Sequence, residues 1–132
     1  MENHPIIHVE FSAKDREATG KFYHDLFGWE VRQIPEMHYA TFMSGKNSLG
    51  GGFSEVSDDY PAGTIMVYIE AKNIEETLQK VEGLGGKTVM PRTEIPGVGW
   101  FAYFTDLSGN KVALLEPLEN MEIRNQSGAQ PA

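Results

Sequence analysis

An internal repeat dominates the sequence: residues 9–31 read VEFSAKDREATGKFYHDLFGWEV, and residues 67–89 read VYIEAKNIEETLQKVEGLGGKTV. The two stretches align without a gap at a shift of 58 positions, and eight of the 23 aligned pairs are identical. Further along, Phe42 aligns with Phe104 at a shift of 62, so the second copy has four additional residues between its strands. A unit that occurs only twice indicates two packed modules rather than a solenoid.

Each copy has the residue pattern of a strand, a helix and then three strands. Apolar residues alternate in the first strand of both copies, which places every second side chain on one face. The predicted strands are 6–12, 30–34, 39–43, 49–53, 65–70, 87–90, 100–105 and 111–115. We therefore predict an α+β protein in which two tandem βαβββ modules form curved mixed sheets around a shared cleft.

The two predicted helices have capping residues and an apolar stripe. Asp15 or its neighbour is suited to the N-cap position of the first helix and Asn73 to that of the second, and Gly28 follows the first helix, where a left-handed residue ends a helix. The apolar residues recur at helical spacing, so we expect them to face the core. These residues are Ala18, Phe22 and Leu26 in the first helix and Leu78, Val81 and Leu84 in the second.

The length of 132 residues fits one domain. We predict that this domain spans residues 1–117, with modules at 5–53 and 64–117 and a polar linker at 54–63. Residues 118–132 are mostly small, polar and aperiodic, which predicts a flexible C-terminal tail.

The composition argues against several classes of partner. A net charge of −8 is unfavourable for nucleic acid and for anionic membranes, because both bind basic surfaces. The apolar runs are too short to span a bilayer, and the N-terminus lacks the pattern of a secretory signal. The chain has no cysteine, which excludes disulfides and thiolate metal sites and is consistent with the cytoplasm, where we expect the protein.

Two motifs carry a resemblance to a known family. Phe22-Tyr23 is followed by Leu26-Phe27-Gly28-Trp29 at the end of the first helix, and Phe104–Asn110 (FTDLSGN) forms the turn before the last strand. Together with the repeat, these motifs resemble the vicinal oxygen chelate superfamily, which includes glyoxalase I, extradiol dioxygenases and bleomycin-resistance proteins. The resemblance covers about residues 5–117, and it departs at Leu107, where the family usually has proline.

The resemblance implies a metal held by one side chain from each of four strands. The corresponding positions in this sequence are His8, Gly51, Met66 and Ala113. Of these only His8 ligates a hard or borderline divalent ion, since methionine is soft and glycine and alanine have no ligating side chain. We therefore expect no cofactor. If the strand register differs by one residue, other side chains face the site, and a divalent metal is then the alternative. The resemblance also implies a homodimer.

Candidate site residues lie on the strand faces that the repeat directs toward the predicted cleft. His8 and Glu10 share one face of the first strand and form a candidate acid–base pair; the alternative is a remnant histidine with its glutamate near the rim. The proposed ligand-binding residues are Gly51, Met66, Tyr68, Phe101, Tyr103, Ala113 and Leu115. If the other face of this strand is directed toward the cleft, Trp100 and Phe104 take the place of Phe101 and Tyr103.

Two functions remain open on the sequence. The first is a binding protein that holds a small organic molecule in an apolar cleft, with the metal site of the family largely lost. The second is a glyoxalase-type lyase, isomerase or dioxygenase, metal-dependent or metal-free, that uses His8 and Glu10. Thr93–Gly99, the expanded region of the second copy, fits either a lid or an ordinary long turn.

Overall fold

The computed structural model describes residues 3–118, which form two compact units. The N-terminal unit comprises His8–Met66, and the C-terminal unit comprises residues 3–7 and 67–118, so the strands Ile6–Ala13 and Ile65–Glu70 each have their first two residues in one unit and the remainder in the other. The predicted tail beyond residue 118 lies outside the described residues. None of the helices within residues 3–118 is long and apolar enough to span a membrane.

The N-terminal unit contains a four-stranded mixed sheet and one α-helix. Its elements are β1 (Ile6–Ala13), α1 (Arg16–Phe27), β2 (Glu30–Ile34), a short 3₁₀-helix (Pro35–Met37), β3 (Tyr39–Met43) and β4 (Gly50–Glu55). The strand order is β2-β3-β4-β1, with β1 parallel to β4 and the other pairs antiparallel. The βαβββ order predicted for this module is confirmed, and the sheet is mixed as expected.

Aromatic rings form most of the core between α1 and this sheet. Phe53 is fully buried, and Phe42 and Phe11 pack against it at ring distances of 5.1 and 5.9 Å. Tyr23 on α1 stacks between Phe53 and Trp29, at 5.5 and 5.0 Å. Stacked and edge-to-face pairs of this kind stabilise a core beyond the area that they bury.

The face of α1 that packs on the sheet is not the predicted one. Gly20 is buried in the middle of the helix, and a Cβ added there would lie 2.8 Å from Cγ1 of Val31. The helix therefore approaches the sheet along Gly20 and Tyr23. The predicted core stripe is exposed instead, with 58% of Phe22 and 57% of Leu26 accessible to solvent. The close approach at glycine overrides the apolar periodicity.

The C-terminal unit repeats this arrangement. Its elements are β5 (Ile65–Glu70), α2 (Ile74–Gly83), β6 (Lys87–Ile95), β7 (Gly99–Thr105) and β8 (Lys111–Pro117), in the strand order β5-β8-β7-β6. Again the first and last strands are parallel and the remaining pairs are antiparallel. The predicted α+β class with two βαβββ modules is therefore confirmed.

The second helix packs through a slightly different stripe from the predicted one. Ile74 and Leu78 are buried against Ala102 and Leu114, while Leu84 follows the helix and is 79% exposed. Asn73 caps the helix as predicted, because its side chain accepts a hydrogen bond from the amide of Glu76 at 3.0 Å.

The expanded region of the second copy is part of a hairpin. Thr93 pairs with Phe101 and Ile95 pairs with Gly99, so only residues 96–98 remain as the turn. The register of β6 shifts between Thr88 and Met90 and again between Met90 and Thr93. The four additional residues therefore extend and bulge a paired strand, and they do not form a free loop.

The helix-free face of the C-terminal sheet carries most of the proposed ligand-binding residues. Phe101 and Tyr103 lie on this face of β7, as predicted. Trp100 and Phe104, the alternative pair, lie on the opposite face and pack against the core under α2. The rings of Phe101 and Tyr103 are half-buried. The other proposed residues are covered: the exposed fractions are 8% for Tyr68, 0% for Ala113, 5% for Leu115 and, in the N-terminal unit, 1% for Met66.

The burial of Ala113 generates a stability prediction. An open cleft would accept a larger side chain there, but in a covered position Ala113→Trp overpacks the surroundings, and we expect a loss of about 1–3 kcal/mol or more. The measurement is the denaturation midpoint beside that of Leu84→Trp, which adds a ring at an exposed position and should change stability little. An unchanged midpoint for Ala113→Trp would show that space for a ligand exists there.

Candidate functional site

Three side chains of the N-terminal unit form a hydrogen-bonded network on the helix-free face of its sheet. His8 and Glu10 project from β1, two residues apart, as predicted. The hydroxyl of Tyr39, on β3, lies 2.7 Å from His8 Nε2 and donates a hydrogen bond to Glu10 Oε2, also at 2.7 Å. Tyr39 thus joins the two proposed catalytic residues into one unit.

Tyr39 reaches these partners because β4 has no side chain in its path. Glu10 pairs with Gly52 on β4, and Gly52 pairs with Thr41 on β3. A Cβ added to Gly52 would lie 1.9 Å from the hydroxyl oxygen of Tyr39 and 2.1 Å from its Cζ. The phenol ring therefore occupies the space over Gly52, and any larger residue there would displace it.

The protonation of the network follows from its donors and acceptors. The hydroxyl of Tyr39 donates to Oε2 of Glu10, so the network is complete when His8 carries its proton on Nε2 and donates it to the Tyr39 oxygen. Burial lowers the pKa of His8 from 6.5 to about 4, which makes the imidazole neutral at pH 7. Glu10 is also buried, with 7% of its surface exposed. The result is a neutral histidine linked through a phenol to a carboxyl group.

A second tyrosine holds the main chain of the same strand. Tyr60 is buried, and its hydroxyl donates to the carbonyl oxygen of Glu10 at 2.7 Å. Glu10 is therefore bonded by one tyrosine at its side chain and by another at its backbone. Tyr60 thus holds the backbone of β1, while Tyr39 bonds the side chain.

Gly51 is one residue out of the register that the repeat predicts for the site. It pairs with Val9 and Phe42, and a Cβ added to it would meet the ring of Phe42 at 2.6 Å on the core face. Gly52 is the residue of β4 that lies beside Glu10. The proposed ligand contact at Gly51 is therefore corrected to Gly52.

The side chains at the four metal-ligand positions do not fit the divalent metal that the resemblance implies. A strand register that differs by one residue does not supply a ligand either. Both neighbours of Gly51 are glycine, and the neighbours of Met66 and Ala113 are apolar. His8 and Glu10 both bond to Tyr39. Within residues 3–118, no group of three or more histidine, aspartate or glutamate side chains is arranged to hold a metal ion.

A surface depression lies on the same sheet, toward its outer edge. It has a volume of about 360 Å³ and is lined by Gly28, Glu30, Met43 and the loop 44–47. Met43 shares the helix-free face with Tyr39, and Glu30 and Gly50 are its register partners on either side. Neighbouring strands lie about 4.8 Å apart, so Met43 on β3 and Glu30 on β2 are roughly 10–15 Å from β1.

The sequence identified two of the three members of the network and missed the third. Alternation along β1 was sufficient to place His8 and Glu10 on one face. Tyr39 lies two strands away in the sheet, and its role depends on the glycine between them. The sequence feature that could have identified it is an aromatic residue at the start of a strand, Tyr39, next to a strand that begins with three consecutive glycines.

The lowered pKa of His8 generates a prediction about stability and pH. The unfolded histidine binds a proton near pH 6.5, whereas the folded one does so only near pH 4. The contribution of His8 is therefore fully present above pH 6.5 and is lost as the pH falls toward 4, at about 1.4 kcal/mol per pH unit.

Unfolding free energies from pH 7 to pH 4 should show this slope in the wild type but not in His8→Asn. The control is His38→Asn, which replaces an exposed histidine at a positive φ of 52° that asparagine tolerates. Equal pH dependence in the wild type and His8→Asn would mean that His8 is not buried as a neutral base.

Comparison with known proteins agrees with the fold. Residues 6–114 match the family described as the Glyoxalase/Bleomycin resistance protein/Dioxygenase superfamily. A glyoxylase-like domain-containing protein of Didymella fabae is 29% identical over 113 residues, which cover 80% of this chain and 88% of that protein.

Two solved structures have the same fold at low sequence identity. A glyoxalase/bleomycin resistance protein/dioxygenase superfamily member from Vibrio splendidus 12B01 has a TM-score of 0.59 at 13% identity, covering 85% of this chain and 97% of that one. Methylmalonyl-CoA epimerase from Mycobacterium tuberculosis has a TM-score of 0.65 at 13% identity, covering 85% and 87%. The match of residues 6–114 to the family model shows that the chain belongs to the glyoxalase/bleomycin resistance protein/dioxygenase superfamily.

Proposed function

We propose that the chain binds a small organic molecule on the helix-free face of its N-terminal unit, without a tightly held divalent metal. The observation that carries the proposal is the network of His8, Tyr39 and Glu10, joined by two hydrogen bonds of 2.7 Å on a sheet face that no helix covers within that unit. A small number of convergent polar groups is what fixes the orientation of a ligand in small-molecule sites.

The geometry of β4 supports a ligand that extends from this network. Gly50 and Gly52 leave the middle of the sheet face without side chains of its own, and the ring of Tyr39 fills the position over Gly52. Toward the sheet edge, Met43 and the carboxylate of Glu30 border the surface depression. We infer that the ligand places a hydrogen-bonding group at the network and an apolar portion toward Met43.

The residues at the metal-ligand positions support binding without a metal. His8 is the one strong nitrogen ligand among these positions, and Gly51, Met66 and Ala113 add no hard donor to it. His8 and Glu10 are also both bonded to Tyr39, so coordination by either would break a hydrogen bond. We propose that the hydrogen-bonded tyrosine replaces the metal as the centre of this site.

Elemental analysis after mild purification tests this part of the proposal. We expect a ratio of zinc, nickel, manganese or iron to protein far below one, unchanged in His8→Ala. A ratio near one that is lost in His8→Ala would contradict it.

A proton-transfer enzyme is the second candidate, and the protonation of the network favours it. A carboxylate at Glu10 can remove a proton from one carbon of a bound carbon acid and, as the carboxylic acid that results, return that proton to a neighbouring carbon, while the hydroxyl of Tyr39 bonds the Glu10 carboxyl group. The overall change is an isomerisation, and Glu10 ends it as the carboxylate with which it began. One structural neighbour, methylmalonyl-CoA epimerase, is named for an isomerisation, although a TM-score of 0.65 at 13% identity is a likeness of fold alone.

A pair of tyrosine variants separates a ligand site from a structural network. Tyr39→Phe removes the hydroxyl that bonds the Glu10 carboxyl group, whereas Tyr60→Phe removes one that bonds the Glu10 carbonyl. A thermal-shift screen of aromatic carboxylates, thiol conjugates and acyl thioesters should yield a ligand that stabilises the wild type. We expect Tyr39→Phe to weaken that ligand at least tenfold and Tyr60→Phe to lower stability with little change in affinity.

The same ligand distinguishes the two candidates when it is incubated with the protein in D₂O. Deuterium incorporation that is detected by NMR and lost in Glu10→Gln supports proton transfer, while binding without exchange supports a binding protein. Equal affinity in the wild type and Tyr39→Phe would contradict the proposed site.

A further inference from the structure

Two lysines on the helix-free face of the C-terminal sheet have no part in the proposed function. Lys87 on β6 and Lys111 on β8 are both register partners of Thr105 on β7, so the three residues form one row across three neighbouring strands, which we call the lysine row. Paired residues share a face, and Thr105 lies two residues after Tyr103, so the row is on the face that carries Tyr103. The Cα atoms of the two lysines are about 10 Å apart across this row.

The amine of Lys111 is held above an aromatic ring. Its Nζ atom lies 5.0 Å from the centre of the Tyr103 ring, within the range of a cation–π contact. Lys111, Thr105 and Tyr103 are each partly buried, whereas Lys87 is exposed at the edge of the sheet. A charge on a partly buried surface is screened less than a charge in open solvent, so it attracts an anion more strongly. The row is therefore a cationic site with one amine already in place.

Two aromatic rings continue this face along β7 from the lysine row. Phe101 and Tyr103 are half-buried, and their ring centres are 5.2 Å apart. At about 3.4 Å per residue, Tyr103 is roughly 7 Å and Phe101 roughly 13 Å from Thr105 along the strand. Two half-exposed rings side by side form a surface on which a flat apolar ring packs. A ligand with its charge at the row can therefore place an aromatic group on these rings.

The charges on this face are separated along the strands. Glu70 on β5 pairs with Leu115, and Leu115 pairs with Phe101, so the carboxylate of Glu70 lies in the row of Phe101. This row is roughly 13 Å along the strands from the lysine row. An anion is attracted at one end of the face and repelled at the other, which sets the direction of an anionic ligand.

We propose that the lysine row binds the phosphate of a small aryl phosphate ester, whose aromatic ring then packs on Tyr103 and Phe101. Two amines and a hydroxyl match the three terminal oxygens of a phosphate ester better than the two oxygens of a carboxylate. Two lysine charges also match a phosphate ester, which carries nearly two negative charges at neutral pH. The site lies on the C-terminal unit and does not use the network of His8, Tyr39 and Glu10, so it goes beyond the proposed function.

An NMR titration with 2-naphthyl phosphate tests the site, because amide shifts report where a ligand binds. Ion pairs at partly exposed positions are weak, so we expect a dissociation constant on the order of 0.1–1 mM, with the largest shifts in residues 101–105 and 111–113. 2-Naphthol and inorganic phosphate, which carry only the ring or only the charge, should each bind several-fold more weakly. Binding of either as tightly as the ester overturns the proposal, as do shifts confined to other strands or no binding at about 10 mM.

Charge variants test the lysine row. Lys111→Gln should raise the dissociation constant about fivefold and Lys87→Gln about threefold, because each removes one charge and the second lysine is more exposed. Lys80→Gln, the control, removes the same charge from an exposed position on α2 and should leave the constant unchanged. Equal affinities in the wild type and both row variants overturn the proposal, as does an equal loss in Lys80→Gln.

Two further variants test the aromatic surface and the independence of the site. Phe101→Leu removes the ring and should weaken the ester about threefold, whereas Phe101→Tyr keeps the ring and should not. Denaturation midpoints establish that each variant is folded. Tyr39→Phe, which alters the network of the N-terminal unit, should leave the dissociation constant of the ester unchanged. A loss as large as that of Lys111→Gln would assign the ester to the network and overturn a separate site, so the two proposals fail on different variants.

Discussion

The absence of side chains along the middle of β4 is the constraint on which both faces of the N-terminal sheet depend. On the core face, Gly51 lets the ring of Phe42 lie against the strand, where an added Cβ would be 2.6 Å away. On the opposite face, Gly52 leaves the space that the Tyr39 ring fills, and Tyr39 in turn joins His8 to Glu10. The aromatic core and the polar network thus require consecutive glycines of one strand, and neither glycine is replaceable by alanine without displacing a ring or the backbone.

Much of the fold could be predicted from local pattern, and the errors occurred where tertiary contact decided the outcome. The helix caps at Asp15 and Asn73 and the faces of β1 and β7 follow from short-range chemistry, and they are as expected. The buried face of α1 is not, because periodicity cannot show that Gly20 permits a closer approach than the Phe22 stripe does. The site was half predictable for the same reason. Alternation found His8 and Glu10, but the reach of Tyr39 across a glycine depends on strand pairing, which the repeat alone placed one residue out of register.

Membership of the superfamily fixes the architecture and leaves the chemistry to the side chains that line it. In this chain the positions that would hold a metal offer one imidazole, a thioether and two residues without ligating groups. A phenol between an imidazole and a carboxyl group keeps three polar groups in one place without a cation. Burial makes that imidazole neutral, since it lowers the pKa of His8 to about 4. Such a network is suited to hydrogen bonding or to the movement of a proton.

The two register shifts in β6 have a consequence for how the repeats diverged in length. The extra residue of a bulge has no partner of its own in the ladder, so each bulge absorbs one added residue and the pairs beyond it keep their faces. Thr88 pairs with Phe104 and Met90 pairs with Tyr103, so Thr88 and Met90 lie on opposite faces of the sheet although they are two residues apart. Beyond the second shift, Thr93 and Ile95 again have regular partners in Phe101 and Gly99. The length of β6 can therefore change by one residue at either shift. Deletion of the unpaired residue there would straighten the ladder and leave the outer half of the strand with the same partners and the same faces.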